Sequence, residues 1–118
     1  MGFYTRFSIP TNCRPITPEE SAELVAEKKA LLIDVRETSE RVETGMAEPA
    51  IPIAMSELNR PDNRELLGHN REKELIFYCH SGGRSGNVAR QLAQEGFRTA
   101  NMGSFGAWQA AGLPVRNE

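Results

Sequence analysis

The feature that most constrains the fold of this chain is the run Leu75-Ile76-Phe77-Tyr78-Cys79 together with the glycine-rich residues after it. Four apolar residues lead into a cysteine, the short segment His80-Ser81-Gly82-Gly83-Arg84-Ser85-Gly86 comes next, and a helical spacing of Val88, Ala89, Leu92 and Ala93 begins at once. A strand, a tight turn and a helix are predicted, with a thiol at the carboxyl end of the strand. In open α/β sheets ligands bind at that end, where the following helix turns backbone N–H groups toward an anion.

Other segments of the chain repeat the strand-helix alternation. Thr17-Pro18-Glu19-Glu20 supplies a cap hydroxyl, a proline at the first helical position and a Glu three residues after the cap, so a helix is expected from there to about Lys29. Ala30-Leu31-Leu32-Ile33-Asp34-Val35 is a continuous apolar run with one carboxylate, as in a strand buried on both faces of a parallel sheet. The polar stretch Arg36 to Arg41 reads as a turn entering a short helix. Gly45 to Pro52 reads as loop, and Ala50 to Ala54 as a short strand kept near a sheet edge by Pro52. Ser56 to Gly68 carries one or two short helices interrupted at Pro61-Asp62-Asn63. Gly96 ends the helix after Cys79, and Phe97 to Met102 is the last strand. A turn at Gly103 to Gly106, a helical turn at Ala107 to Ala111 and a polar end after Pro114 close the chain. The expectation is an α/β fold: a small, mostly parallel five-stranded sheet with helices on both faces. Residues 1–14 read as an N-terminal tail with a short edge strand near its end, and residues 15–116 as one domain.

At 118 residues a single modest core is possible without disulfides. A formal net charge of −2 argues against nucleic acid as the main partner, since phosphate binding needs a surplus of Lys and Arg. No apolar run reaches the roughly 20 residues of a membrane span, and the first residues lack the apolar segment of a signal peptide. A cytoplasmic location without membrane attachment is expected, with Cys13 and Cys79 as two free thiols.

Cysteine reacts as its anion, and the reference pKa of a free thiol is roughly 8.5, so a reactive Cys79 needs local stabilisation of negative charge. The N–H groups from Ser81 to Gly86, the dipole of the following helix and the Arg84 cation are the candidates. A strand-end cysteine is ordinarily a small buried hydrophobe. Three glycines and an arginine within seven residues point instead to a bound anion.

Cys79 and Arg84-Ser85 after an apolar strand, Asp34-Val35-Arg36-Glu37 after an earlier one, Gly45 through Ile53 between them and Gly112-Leu113-Pro114-Val115 at the end resemble a single-domain rhodanese from about Ile16 to Val115. The resemblance implies a sulfurtransferase. Cys79 attacks the outer sulfur of a donor such as thiosulfate, becomes a persulfide, and yields the sulfur to cyanide or a thiol. It further implies a small sulfur-containing anion or persulfide as donor, a thiol acceptor that can be a protein, no cofactor and no metal. Phosphatases of the same general fold separate Cys and Arg by five residues; here Cys79 and Arg84 are separated by four, a smaller ring that favours sulfur over phosphate. The alternatives are a persulfide carrier serving a partner protein and, behind it, phosphatase-like chemistry.

The catalytic residue is thus expected to be Cys79, held in an anion-binding loop of His80, Ser81, Gly82, Gly83, Arg84 and Ser85. Asp34 is expected in a structural role beside the site, by hydrogen bonds from the loop, by pairing with an Arg or by capping the next segment, and Arg36 in an ion pair that ties the loop to the body. His80, a sequence neighbour of Cys79, is a rim residue and not its partner base, and His69 is solvated. A zinc site would need Cys13, Cys79, His69 and His80 to converge, and their spacings match no usual pattern. Phe105 and Trp108 read as packing residues. Many rhodaneses have His-Ile-Pro-Gly-Ala where this chain has Met46-Ala47-Glu48-Pro49-Ala50, and two glycines where it has Gly103-Ser104; both segments are expected around the pocket.

Overall fold

The computed structural model describes residues 12–118, so residues 1–11 of the expected tail lie outside the described residues. Strand β1 (Cys13–Pro15) lies at one edge of the sheet and pairs in parallel with β6 (Thr99–Ser104). Next to β6 come β5 (Glu74–Cys79), β2 (Ala30–Asp34) and β4 (Ile51–Pro52), giving the order β1-β6-β5-β2-β4 with every pairing parallel. The strand containing Pro52 is an edge strand, where the missing N–H leaves no ladder bond unmade.

Helices α1 (Pro18–Ala26) and α5 (Phe105–Ala110) cover one face of the sheet, and α3 (Pro61–His69) and α4 (Gly83–Gln94) the other. Period-two alternation divides β5 between the faces. Ile76 and Tyr78 join the cluster with Leu32, Phe105 and Trp108, while Leu75, Phe77 and Cys79 join the cluster with Ile33, Leu67, Val88 and Leu92. Each fully buried Leu, Ile or Phe in these layers contributes about 1.5–3 kcal/mol relative to an exposed one. That burial fixes Cys79 on the α4 side.

Several local expectations change. The first helix ends at Ala26, three residues before Lys29, because Lys28 takes a left-handed conformation (φ 62) and the Lys29 N–H reaches back to the Leu24 carbonyl. This is the bond pattern of a helix stop usually made with glycine. The two short helices expected around Ser56 to Gly68 are a 3-10 turn at Met55–Glu57 and α3; the break lies just before Pro61, which opens the second helix because proline is compatible with the first helical turn. Gly103 and Ser104 belong to β6, and Ser104 caps α5 by accepting from the Ala107 N–H at 3.1 Å, so that helix starts at Phe105.

Two segments read as loop or chain end form a second sheet. Strand β3 (Met46–Ala47) pairs antiparallel with β7 (Val115–Arg116), so Phe97 to Met102 is not the last strand. Gly45 precedes β3 at φ 77, and a Cβ there would lie 2.9 Å from the Arg116 carbonyl oxygen. Only glycine fits that approach. Immediately before Gly45 lies α2 (Thr38–Thr44), whose Glu37 and Glu40 form a reciprocal cap at its N-terminus. None of the described helices is long and apolar enough to cross a membrane.

Candidate active site

Strands β2, β5 and β6 end side by side, and the turn after β5 carries Cys79. Gly82 occupies the N-cap position of α4 at φ 101, a conformation a side chain would strain. This geometry directs the Gly82 N–H onto Cys79 Sγ at 3.0 Å. The Ser85 hydroxyl stands 3.4 Å from the same sulfur. Burial pushes the Cys79 thiol up; the Ser85 hydroxyl and the N–H groups of Ser85, Gly82 and Ser81 outweigh it, and the net direction is down. These donors, most of them fixed backbone groups, favour the anionic form of the sulfur over the thiol.

Asn101, a residue that the sequence places simply inside a strand, organises this cradle from below. Its Oδ1 accepts from the Ser85 hydroxyl at 2.7 Å and from the Gly103 N–H at 3.0 Å, and its Nδ2 donates to the Gly82 carbonyl at 3.2 Å. A hydroxyl has one proton, and the shorter contact to Asn101 competes with the contact to sulfur. The backbone N–H groups are thus the steadier support of the thiolate, even though the Ser85 hydroxyl is the largest single influence that lowers the thiol. A register shift sets Phe77 opposite Asn101 and Tyr78 opposite Gly103, which leaves Met102 as an extra residue on β6. A polar Asn between Ala100 and Met102 in a buried strand is the signal that could have revealed the clamp.

Arg84 has a partner that its sequence neighbourhood does not disclose. Its guanidinium forms two parallel bonds to Glu40, Nη1 to Oε1 at 2.6 Å and Nη2 to Oε2 at 2.8 Å. Those bonds hold the Glu40 carboxyl down to about 2 and raise the Arg84 guanidinium, with Cys79 a smaller influence in the same direction. Glu40 sits at the third position of α2, and its place in a Glu-x-x-Glu cap was the only sequence hint of its presence here.

Asp34 and Arg36 close on each other. Both are buried, at 0% and 1% exposure, and Arg36 donates from Nε and Nη2 to the carboxylate, the shortest bond being 2.8 Å. The Arg36 backbone N–H adds a bond to Asp34 Oδ1 at 2.9 Å. Burial works against the Arg36 cation, and the Asp34 bonds more than compensate. Of the readings open for Asp34, the arginine pair is the one realised. Arg36 also donates to Thr44 Oγ1 and to the Gly45 carbonyl, and its guanidinium lies 4.5 Å from the Phe105 ring centroid. It ties the Gly45 turn to the sheet, and not the Cys79 loop.

His80 is exposed and lines a groove of about 230 Å³ with Arg36, Glu40, Glu43 and Thr44. Ser81 and Gly83 are exposed on the loop. His69 ends α3 in an exposed position, and Cys13 is half-buried on β1 as a free thiol. Phe105 and Trp108 are buried packing residues. Met46 and Ala47 are fully buried, while Glu48 and Pro49 border a separate groove with Ala22, Val25, Trp108 and Pro114. The 46–50 segment therefore does not rim the Cys79 loop, because its pairing with β7 draws it toward α1 and α5.

The family model described as a rhodanese-like domain matches residues 17–111. A putative sulfurtransferase, YtwF of Bacillus subtilis, is 40% identical over 90 residues, covering 75% of this chain and 82% of that protein. The thiosulfate sulfurtransferase GlpE of Actinobacillus succinogenes is 29% identical over 102 residues, covering 85% of this chain and 87% of that protein. Among solved structures, a rhodanese-related protein of Thermoplasma volcanium superposes with a TM-score of 0.74 at 29% identity, covering 89% of this chain and 99% of that one.

Proposed function

The chain belongs to the rhodanese-like domain family, and on that premise we propose that it is a sulfurtransferase working by double displacement through a persulfide on Cys79. The observation that carries the reading is the convergence of the Gly82, Ser81 and Ser85 N–H groups and the Ser85 hydroxyl on the Cys79 sulfur. Donors preorganised around a sulfur anion stabilise the attacking thiolate and equally the persulfide anion that replaces it.

In the first half-reaction the Cys79 thiolate attacks the sulfane sulfur of the donor. A new S–S bond forms, the donor's S–S bond breaks, and its electron pair leaves on sulfite when the donor is thiosulfate, or on a thiolate when it is a persulfide. In the second half-reaction an acceptor nucleophile attacks the outer sulfur, and the electron pair of the broken bond returns to Cys79. Charge and oxidation level balance in each half. The leaving groups are stable anions, so no strong general base is required, in keeping with the exposed position of His80.

The test is sulfur transfer from thiosulfate to cyanide, followed as thiocyanate, together with intact mass after donor alone. The wild type is expected to gain one sulfur and turn over, and Cys79→Ser to do neither while remaining folded. Equal rates in the two proteins refute the reading. Mass gain from a persulfide-loaded partner protein without turnover of small donors assigns the chain as a carrier instead, and hydrolysis of an aryl phosphate assigns phosphatase-like chemistry.

A further inference from the structure

The family reading treats Arg84 as a cation available to an anionic donor, but the structure covers that cation. Two parallel guanidinium–carboxylate bonds to Glu40 satisfy the planar fork of Arg84 in the geometry such pairs prefer. Both side chains are about one-third exposed, so the pair lies at the mouth of the loop and not beneath it. The second nearby cation, Arg36, is matched in the same way by Asp34 at 2.8 Å. The groove beside the loop adds a further carboxylate, Glu43, to Arg36, Glu40, Thr44 and His80. Both arginines are thus already matched, and the groove beside His80 adds the carboxylate of Glu43 to that of Glu40.

We propose that Glu40 sets the donor charge class of this enzyme: by covering Arg84 it disfavours dianionic donors such as thiosulfate and favours donors of lower charge, organic persulfides and thiosulfonates. The inference rests on the sulfur-transfer reading above and deepens it. Attraction between charges at contact distance near a protein surface is worth several-fold to many-fold in association, and a paired cation offers little of it to an incoming anion. What remains to hold the donor is the ring of N–H dipoles, which suits one negative charge on sulfur better than a second charge on a sulfonate. Glu40 touches Arg84 and not the reacting atoms, so it is a positioning residue.

Thiosulfate and methanethiosulfonate form a matched pair of probes, since each presents a sulfane sulfur on a sulfonyl group and they differ by one charge and one methyl. Attack by Cys79 breaks the same S–S bond in each, releasing sulfite from one and methanesulfinate from the other. The measurement is kcat/KM for persulfide formation with each donor in the full chain, as wild type, Glu40→Gln and Glu40→Asp, repeated at increasing salt.

Glu40→Gln is expected to raise the thiosulfate-to-methanethiosulfonate ratio on the order of tenfold, through KM and with a steeper salt dependence, as one uncovered unit charge requires. Glu40→Asp, which keeps the carboxylate, is expected to hold the ratio near the wild-type value. An unchanged ratio in Glu40→Gln, or an equal fall with both donors, overturns the proposal and makes the pair a purely structural tie. Sulfur transfer to wild type from neither donor overturns the sulfurtransferase reading and this inference with it.

Discussion

Two adjacent strands of the sheet end in groups that can carry negative charge, and the fold answers that charge in opposite ways. At the end of β2, Asp34 is sealed from water and answered by a full cation on Arg36, with Thr44, the Gly45 carbonyl and the Phe105 ring surrounding that cation. At the end of β5, Cys79 is equally buried but is answered chiefly by N–H dipoles and a shared hydroxyl, while Arg84 interacts with it less than with Glu40, to which it makes two parallel bonds. A charge matched by a counter-charge is stabilised so firmly that it is chemically idle. A charge held by dipoles keeps its lone pairs available, because N–H groups orient the sulfur without neutralising it.

Removing the counter-charge at β2 should give the largest effect. Arg36→Met leaves Asp34 buried without its cation and is expected to lower stability by about 3–5 kcal/mol, read from urea unfolding with the slope unchanged. A loss below about 1 kcal/mol would break the contrast, since Asp34 would then be tolerated without its partner. Asn101→Ala removes the clamp under the other strand end. It is expected to slow persulfide formation about 10- to 100-fold, through loss of loop geometry more than of fold stability. An Asn101→Ala protein that unfolds but reacts normally when folded would place Asn101 in the core and not under the site.

The smallest effect sharpens the roles of dipole and hydroxyl. The cradle lowers the Cys79 thiol from its ordinary value, so the pH midpoint of its alkylation by iodoacetamide should lie below that of the same thiol in the urea-unfolded chain. Ser85→Ala should move that midpoint upward, since a donor to the anion is lost, and by less than about one unit if the backbone N–H groups are the main support. The sign in stability is fixed by the same shift. A thiol whose pKa is lowered by folding stabilises the fold above its unfolded pKa, and that contribution is lost as pH falls through the folded one. A Ser85→Ala midpoint at or above the free-thiol value would show that the hydroxyl, and not the backbone, holds the thiolate.

Much of this was legible in local sequence. The apolar runs at Ala30 to Asp34 and Leu75 to Cys79 are buried parallel strands because both faces of so short a segment are apolar, and only a strand covered on both sides buries them all. The glycines after Cys79 are a short-range requirement of the turn, and Gly82 at φ 101 meets it. By contrast, Met46-Ala47 and Val115-Arg116 are two-residue strands whose only signal is each other, far apart along the chain. Propensity cannot report a pairing of that range.

The sequence by itself determined the nucleophile, the turn that presents it and the layered α/β frame, because each depends on residues within a few positions of one another. The tertiary structure decided which charges meet. Arg84 lies 44 residues from Glu40, and Ser85 lies 16 from Asn101. Electrostatic and hydrogen-bond partners are chosen by distance in space, and only the packing of α2 and β6 around the loop decides whether the arginine beside Cys79 is open to a donor or already engaged.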